Sequence, residues 1–389
     1  MKHFRVSMGL WLLLGLSACG GDSGGGAGDS DADRFAAASV SDGVWMKGDL
    51  HLHSHHSSDA TSPLAGLVAL AEEVGMDYFI ITDHDNHVEG RIAEHTWADP
   101  DYRSDSMVML YGAEWTNHRG HGNVIAAQPY EHELLYQVRD DLDVVIGDVI
   151  DSLGVHMSAC HPAGSDAWNF SYDFARGIEV WNSSIWLLHS GATQIWDDLL
   201  KSGRRITSRG GSDAHHGPLG EGDMTSPSAW QSIANVLGTP TTWVFARERS
   251  PEAVVEALDA GRASISVNPN AERLALYVDT DGDGQADGMM GDNLPATGQP
   301  VTFMLEMVGG DFADISRLYT VTVIKNGEEF GTFTVTESHF EFEDTPAAGD
   351  RSYYRVEVQG WPSAYLISPL SPVLSTAMLA LSNPVYFNY

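Results

Sequence analysis

Cysteine is nearly missing from this chain: 389 residues carry two, Cys19 and Cys160. That excludes a disulfide framework of the kind that staples small exported domains. Basic residues are scarce too, 21 Lys and Arg against 54 Asp and Glu, for a formal charge of −33. A general nucleic-acid binder needs a basic footprint, and so does docking on anionic lipid. Both classes are set aside, and bound cations would neutralise part of the acidity. Long apolar runs are lacking as well. Residues 6–16 are apolar but far too short to span a bilayer. There are no convincing internal repeats. What is there, 43% hydrophobic and 10% aromatic residues, describes an ordinary globular protein. The length suits one large domain plus a smaller one.

The N-terminus reads as targeting rather than structure. Lys2 and Arg5 precede the apolar stretch, which ends in Leu16-Ser17-Ala18-Cys19-Gly20. This resembles the lipobox of bacterial lipoproteins; the alternative is an ordinary secretory signal with a chance cysteine. The resemblance implies removal of 1–18 as a signal peptide and lipid attachment at Cys19. The protein is then expected to be exported and lipid-anchored to the cell envelope, and Gly20 in place of Asp implies sorting to the outer membrane or periplasm if the host has two membranes. Cys160 is then left without an intrachain partner. Residues 19–41 hold a Gly/Ser/Asp-rich stretch without apolar periodicity, expected to be a flexible tether.

From residue 42 the pattern alternates strand and helix. Trp45-Met46-Lys47-Gly48-Asp49-Leu50 reads as a strand. Ser62 and Pro63 open a helix whose apolar face is Leu64, Leu67, Val68, Ala71 and Val74, with Gly75 closing it. Tyr78-Phe79-Ile80-Ile81-Thr82 is a buried strand. Further strands are expected at 108–113, 155–160, 177–182, 205–208 and 241–246, with helices over 144–153, 194–200 and from Ser250 to Gly261. Parallel strands with crossover helices are the default for such alternation. Beyond about 269 the strands turn Thr/Val/Phe-rich, and Asn326-Gly327 is a hairpin turn. A small antiparallel β-sandwich is expected over 269–389.

Histidines and carboxylates gather just past strand ends. His51 and His53, two apart on a strand, point the same way and form half of a metal site. Asp213-x-His215 repeats that spacing. Thr82-Asp83-His84-Asp85, Gly112-Ala113-Glu114, Gly120-His121-Gly122-Asn123 and His161-Pro162 lie between, with His118, His121 and Asn123 expected in a Gly-rich loop. In this order the motifs resemble the PHP (polymerase and histidinol phosphatase) family of metal-dependent hydrolases. The secreted carbaryl-hydrolase-like branch is the nearer likeness, through Ile178-Glu179-Val180-Trp181-Asn182 and the segments 196–203 and 257–264.

The resemblance implies a distorted seven-stranded β/α barrel over 42–268 and a di- or trinuclear metal centre. It implies that His51, His53, Glu114 and Asp213 hold a first metal. Glu114 would bridge to a second, completed by His121 and His161, and Asp59, His84 and His215 would hold a third. Imidazole and carboxylate ligands suit zinc, manganese or iron. Asp213 is the expected proton acceptor, and Asp83 and Asp85 are expected to orient imidazoles.

The implied activity is hydrolysis of a phosphorylated small molecule. Carbamate, ester or amide hydrolysis is the alternative, and a non-catalytic metal- or ligand-binding surface lipoprotein is the non-enzymatic one. Arg119 and Arg209 could bind an anionic substrate oxygen or pair with the many acids. His55, His56, His87, His118 and His216 read as solvated or substrate-side groups, and Trp168, Trp181 and Trp186 as core. Independently, Asp279, Asp281, Asp283, Gln285 and Asp287 match the start of a calcium loop that lacks its closing Glu.

Overall fold

The computed structural model describes residues 42–164, 166–217, 233–309, 318–365 and 367–389. The lipobox, Cys19 and the tether lie outside them. No helix among the described residues is long and apolar enough to cross a membrane.

The expected strands form, but they pair differently from the expectation. β1 (Val44–Asp49), β2 (Tyr78–Phe79) and β3 (Val108–Met109) run parallel. On its other edge β1 meets β9 (Thr241–Ala246) antiparallel, and β10 (Ala263–Ser266) follows. A second sheet holds, in order, β4 (Tyr111–Asn117), β5 (Gly120–Ala126), β6 (His156–Ala159), β7 (Gly177–Asn182) and β8 (Thr207–Gly211). Its first three strands pair antiparallel and its last two pairings are parallel. The fold is mixed α/β in several sheets, and the ladders do not join into one closed barrel. Two isolated parallel bridges, Leu52–Ala214 and His84–Glu114, touch between the sheets at the ends of β1 and β2.

The β4–β5 hairpin corrects the sequence reading, which took residues 118–123 as a Gly-rich loop. Gly120 and Gly122 are strand residues. A Cβ on Gly120 would lie 2.8 Å from the Trp168 backbone, and one on Gly122 would lie 2.7 Å from Met157 Sδ. Gly122 marks close packing, and Gly120, at φ 130° beside the 118–119 turn, serves both the packing and the turn. His121 is therefore fixed on a strand, directly opposite Thr116.

Helices cover the outer faces. The first spans Leu64–Glu73 and buries Leu64, Leu67, Val68 and Ala71. Pro63, not Ser62, takes the cap position, without a side-chain cap bond. The helix Pro251–Ala260 keeps its expected cap, Ser250 accepting from the Ala253 N–H, and closes on Gly261 at φ 75°. The helices His132–Val138, Trp186–His189 and Ser371–Leu374 were missed from the sequence.

The C-terminal strands are antiparallel except for the short pair β13 (Asn293–Leu294) and β20 (Val385–Phe387), which runs parallel. Asn326-Gly327 turns β15 (Tyr319–Lys325) into β16 (Glu328–Val335), both turn residues at positive φ, as a type I′ turn requires. β15 pairs with β18 (Ser352–Gln359), and β11 (Arg273–Asp279), β14 (Val301–Val308) and β17 (His339–Asp344) form a separate sheet. The 268/269 line falls between β10 and β11. Across it β10 pairs with β19 (Met378–Ser382), and one core unites Trp181 and Trp196 with Phe303, Val321 and Tyr353. Asp197 on the helix Gly191–Lys201 ties this core together. It accepts from Arg355 Nε at 3.0 Å and Nη2 at 2.7 Å, and from the Tyr353 hydroxyl at 2.8 Å.

Candidate metal centre

The ends of the two sheets bring the nine expected side chains to one place. β1 runs out into His51 and His53, β4 carries Glu114, β5 carries His121, and His161 follows β6. Asp213 and His215 follow β8, placed by Asp213 N–H donating to the His51 carbonyl at 2.7 Å and His53 N–H donating to the Ala214 carbonyl at 2.8 Å. His161 and Asp213 both take positive φ, 28° and 52°. Backbone strain of this kind persists where surrounding structure over-determines it, and it clusters at functional sites.

Glu114 is the hub. Its Oε1 lies 3.0 Å from His121 Nδ1, 3.2 Å from His161 Nε2 and 3.4 Å from His51 Nε2. Its Oε2 lies 3.0 Å from His84 Nδ1 and 3.3 Å from His53 Nε2. One carboxylate thus divides its two oxygens between two groups of imidazoles, the arrangement a bridging ligand needs. Asp213 Oδ1 stands 3.3 Å from His51 Nε2 and 3.2 Å from His53 Nε2. Asp59 reaches in from the mouth, 3.5 Å from His84 Nε2 and 3.7 Å from His215 Nε2. His53, His84 and His215 also stand close enough together on that side to share an ion.

The centre is closed behind and open in front. His51, His53 and Glu114 are fully buried, while the side chains of Asp213 and Asp59 are 20% and 48% exposed. At the closed end His51 Nε2 and Glu114 Oε2 are buried without any hydrogen-bond partner. Leaving such atoms unmade costs about 1–3 kcal/mol each, more if charged. Divalent cations between them would satisfy both. This donor set of neutral imidazoles and carboxylates fits a zinc-, manganese- or iron-class ion.

The field of the site pulls its imidazoles in opposite directions. Burial, joined by the neighbouring His215 and His84, lowers His53 to about 3, which keeps its lone pair free. Burial also opposes charge on His84, but Glu114 and Asp59 outweigh it and raise His84 to about 10. Burial opposes ionisation of Glu114, yet His84, His51 and His121 hold it well below the usual carboxylate range. Without cations, protons shared with imidazoles balance the carboxylates.

Behind the ligands stands a support layer the sequence reading mostly missed. Glu179 Oε1 accepts from His51 Nδ1 at 3.0 Å and Arg209 Nη1 at 2.8 Å. Its Oε2 accepts from the His161 amide at 2.8 Å and Asn182 Nδ2 at 3.0 Å. A proton on Nδ1 directs the His51 Nε2 lone pair into the centre. The available signal was a lone carboxylate in the otherwise uncharged strand Gly177–Asn182. Asp83 binds the Ser54, Ser57 and Thr96 hydroxyls, and Ser57 Oγ lies 3.3 Å from His53 Nδ1. Asp85 does not touch a ligand imidazole. It accepts from Thr116 N–H and pairs with His132, while Thr116 Oγ1 meets His84 Nδ1 at 2.7 Å.

The two arginines take the second of their two expected roles and pair with acids. Arg209 is 1% exposed, its guanidinium enclosed by Glu179, Ser158 and Cys160. It is a structural counter-charge, not a substrate contact. Arg119 pairs with Asp143 and lies 4.1 Å from the centre of the Phe170 ring. Trp168, Trp181 and Trp186 are core residues. In the 279–287 loop, Asp279, Asp281, Asp283 and Asp287 each accept backbone N–H groups of the loop itself.

Comparison with known proteins adds one assignment. Residues 49–150 match the family model described as PHP domain, so the chain carries a PHP domain over that span. The match takes in His51, His53, Asp59, His84, Glu114 and His121, and stops short of His161, Asp213 and His215. No curated protein matches. Among solved structures, a two-domain protein from Bacteroides vulgatus ATCC 8482 is described as containing a predicted PHP-like metal-dependent phosphoesterase. It is 17% identical, with TM-score 0.44, over 92% of this chain and all of that one. A candidate metal-dependent phosphoesterase from Bifidobacterium adolescentis ATCC 15703 is 16% identical, with TM-score 0.30, over 45% of this chain and 88% of that one. At these scores neither neighbour assigns fold or activity to this chain.

Proposed function

We propose that this chain is a metal-dependent hydrolase of phosphorylated small molecules, working at the centre around Glu114. The observation that carries the reading is the pair of orphaned buried atoms, His51 Nε2 and Glu114 Oε2, inside a ring of imidazoles and carboxylates. The PHP domain match over 49–150 supports it. The seven-stranded ring stays part of the proposal: β1, β2 and β4 to β8 would complete it through the Leu52–Ala214 and His84–Glu114 bridges.

Two or three divalent ions held there would supply Lewis acidity and an ionised water near neutral pH. The chain's own groups do the rest. Glu114 and the imidazoles fix positions, the His51 ring held from behind by Glu179 and the His53 ring by Ser57. Asp213 stands at the open side as proton acceptor, its Oδ2 3.4 Å from Asn182 Nδ2. His215 donates from Nδ1 to the Asp213 carbonyl at 2.9 Å, which turns its Nε2 to the mouth.

The test is a panel of p-nitrophenyl phosphate, bis(p-nitrophenyl) phosphate, a carboxylic ester and an aryl carbamate, each with manganese, zinc or chelator. Metal-dependent turnover of a phosphate ester supports the reading. Turnover of the ester or carbamate alone moves it to carbonyl chemistry. Bound metal with no turnover of any substrate leaves a binding protein. The proposal also takes the 279–287 loop as a structural calcium site, tested by a rise in melting temperature with millimolar calcium. Export and anchoring through Cys19 belong to it too. Loss of detergent-phase partition in Cys19→Ser is the expected result.

A further inference from the structure

A second group of potential ligands stands outside the centre and shares no residue with it. His55 and His56 lie on the turn after His53, with ring centroids 4.3 Å apart. Asp99 lies across from them, His56 Nε2 to Asp99 Oδ2 being 2.8 Å. One ligand atom from each of His55, His56 and Asp99 lies within 4.8 Å of the others. We propose that these three residues form an independent outer site for a divalent transition-metal ion of the zinc class.

Two imidazoles and a carboxylate are the three-ligand set that leaves one tetrahedral position for water. Imidazole donors favour zinc-class ions over calcium or magnesium. The backbone already presents the donors. His55 N–H donates to the Ser62 carbonyl at 2.9 Å, and His56 N–H to Ser54 Oγ at 3.2 Å. Asp99 Oδ1 accepts from Asp101 N–H at 2.9 Å, which leaves Oδ2 aimed at His56. The group is partly exposed, so an ion can enter without opening the fold. Another imidazole, His95, stands with its ring centroid 6.3 Å from that of His56.

An ion here would clasp the turn that carries His51 and His53 to the segment holding Thr96 and Asp99. Those two stretches already meet beneath it, where Ser54 and Thr96 both donate to Asp83 Oδ2 at 2.7 Å.

The test is zinc titration of the full chain by calorimetry, with circular dichroism as the check on folding. The wild type takes up one equivalent more than H55A/H56A, and Asp99→Asn weakens that equivalent at least tenfold. Glu114→Gln, which damages the inner centre, retains the outer equivalent, so failure of this proposal and failure of the hydrolase reading are separable. Equal stoichiometry and affinity in wild type, H55A/H56A and Asp99→Asn overturns the proposal.

Discussion

Replacing Glu179 by Gln separates a supporting role from a packing role. Four donors converge on this carboxylate: His51 Nδ1 and Arg209 Nη1 on one oxygen, His161 N and Asn182 Nδ2 on the other. Glutamine is nearly the same shape but offers one oxygen and an NH2. Two of the four donors then face another donor, and Arg209 is left without its counter-charge in a fully buried setting. Breaking a buried ion pair by removing one partner costs about 3–5 kcal/mol. The titration of Glu179 gives the same scale. Burial opposes its ionisation, but Arg209 and His51 outweigh burial and hold it at about 2, against an ordinary 4.5. That difference corresponds to roughly 3 kcal/mol. A depressed carboxylate contributes stability that is present above pH 4.5 and lost as pH falls toward 2. At about 2 °C per kcal/mol for a chain of this size, the variant melts ~6 °C or more below the wild type at neutral pH. The gap narrows as pH falls from 4.5 toward 2. Because His51 loses the acceptor that fixes its tautomer, metal affinity drops about 10–100-fold. The assays are calorimetric melting across pH and metal titration. Adding Arg209→Met removes the stranded charge and recovers part of the stability, while metal affinity stays low. A Glu179→Gln protein with unchanged melting and unchanged metal affinity refutes the reasoning.

Gly211→Ala places a Cβ 2.4 Å from His51 Cβ and 2.6 Å from Glu179 Oε1. It lowers stability by about 1–3 kcal/mol by overpacking and weakens metal binding, read by melting and titration. Asp213→Asn, assayed at saturating metal, lowers turnover about 10²–10⁴-fold with little change in melting, since its side chain sits at the open side. Asp197→Ala takes from buried Arg355 the carboxylate on its Nε and Nη2 and leaves it Glu357 on Nη1. It costs about 1–3 kcal/mol in denaturant melts and leaves metal affinity unchanged.

What the sequence revealed follows from the range over which each signal acts. Local signals carried: the Ser250 cap, the Asn326-Gly327 turn and the short apolar runs all describe neighbours in the chain. The ligand residues were legible because His51-x-His53 and Asp213-x-His215 are also local patterns, and the structure brings both to Glu114. Pairing partners were not legible. β1 meets β9 antiparallel from across nearly the whole domain, and nothing within either strand states that choice. Gly120 and Gly122 misled because glycine signals a turn and a close strand contact alike. Arg209 could not be decided between substrate and acid partner, because its partner Glu179 lies 30 residues away and is buried with it.

The most direct test of the central claim is anomalous scattering from a crystal grown with manganese or zinc. The account predicts at least two anomalous peaks a few ångströms apart, with Glu114 between them and His51, His53, His121, His161 and Asp213 as their ligands. Strong metal peaks elsewhere on the molecule, with none beside Glu114, would contradict it.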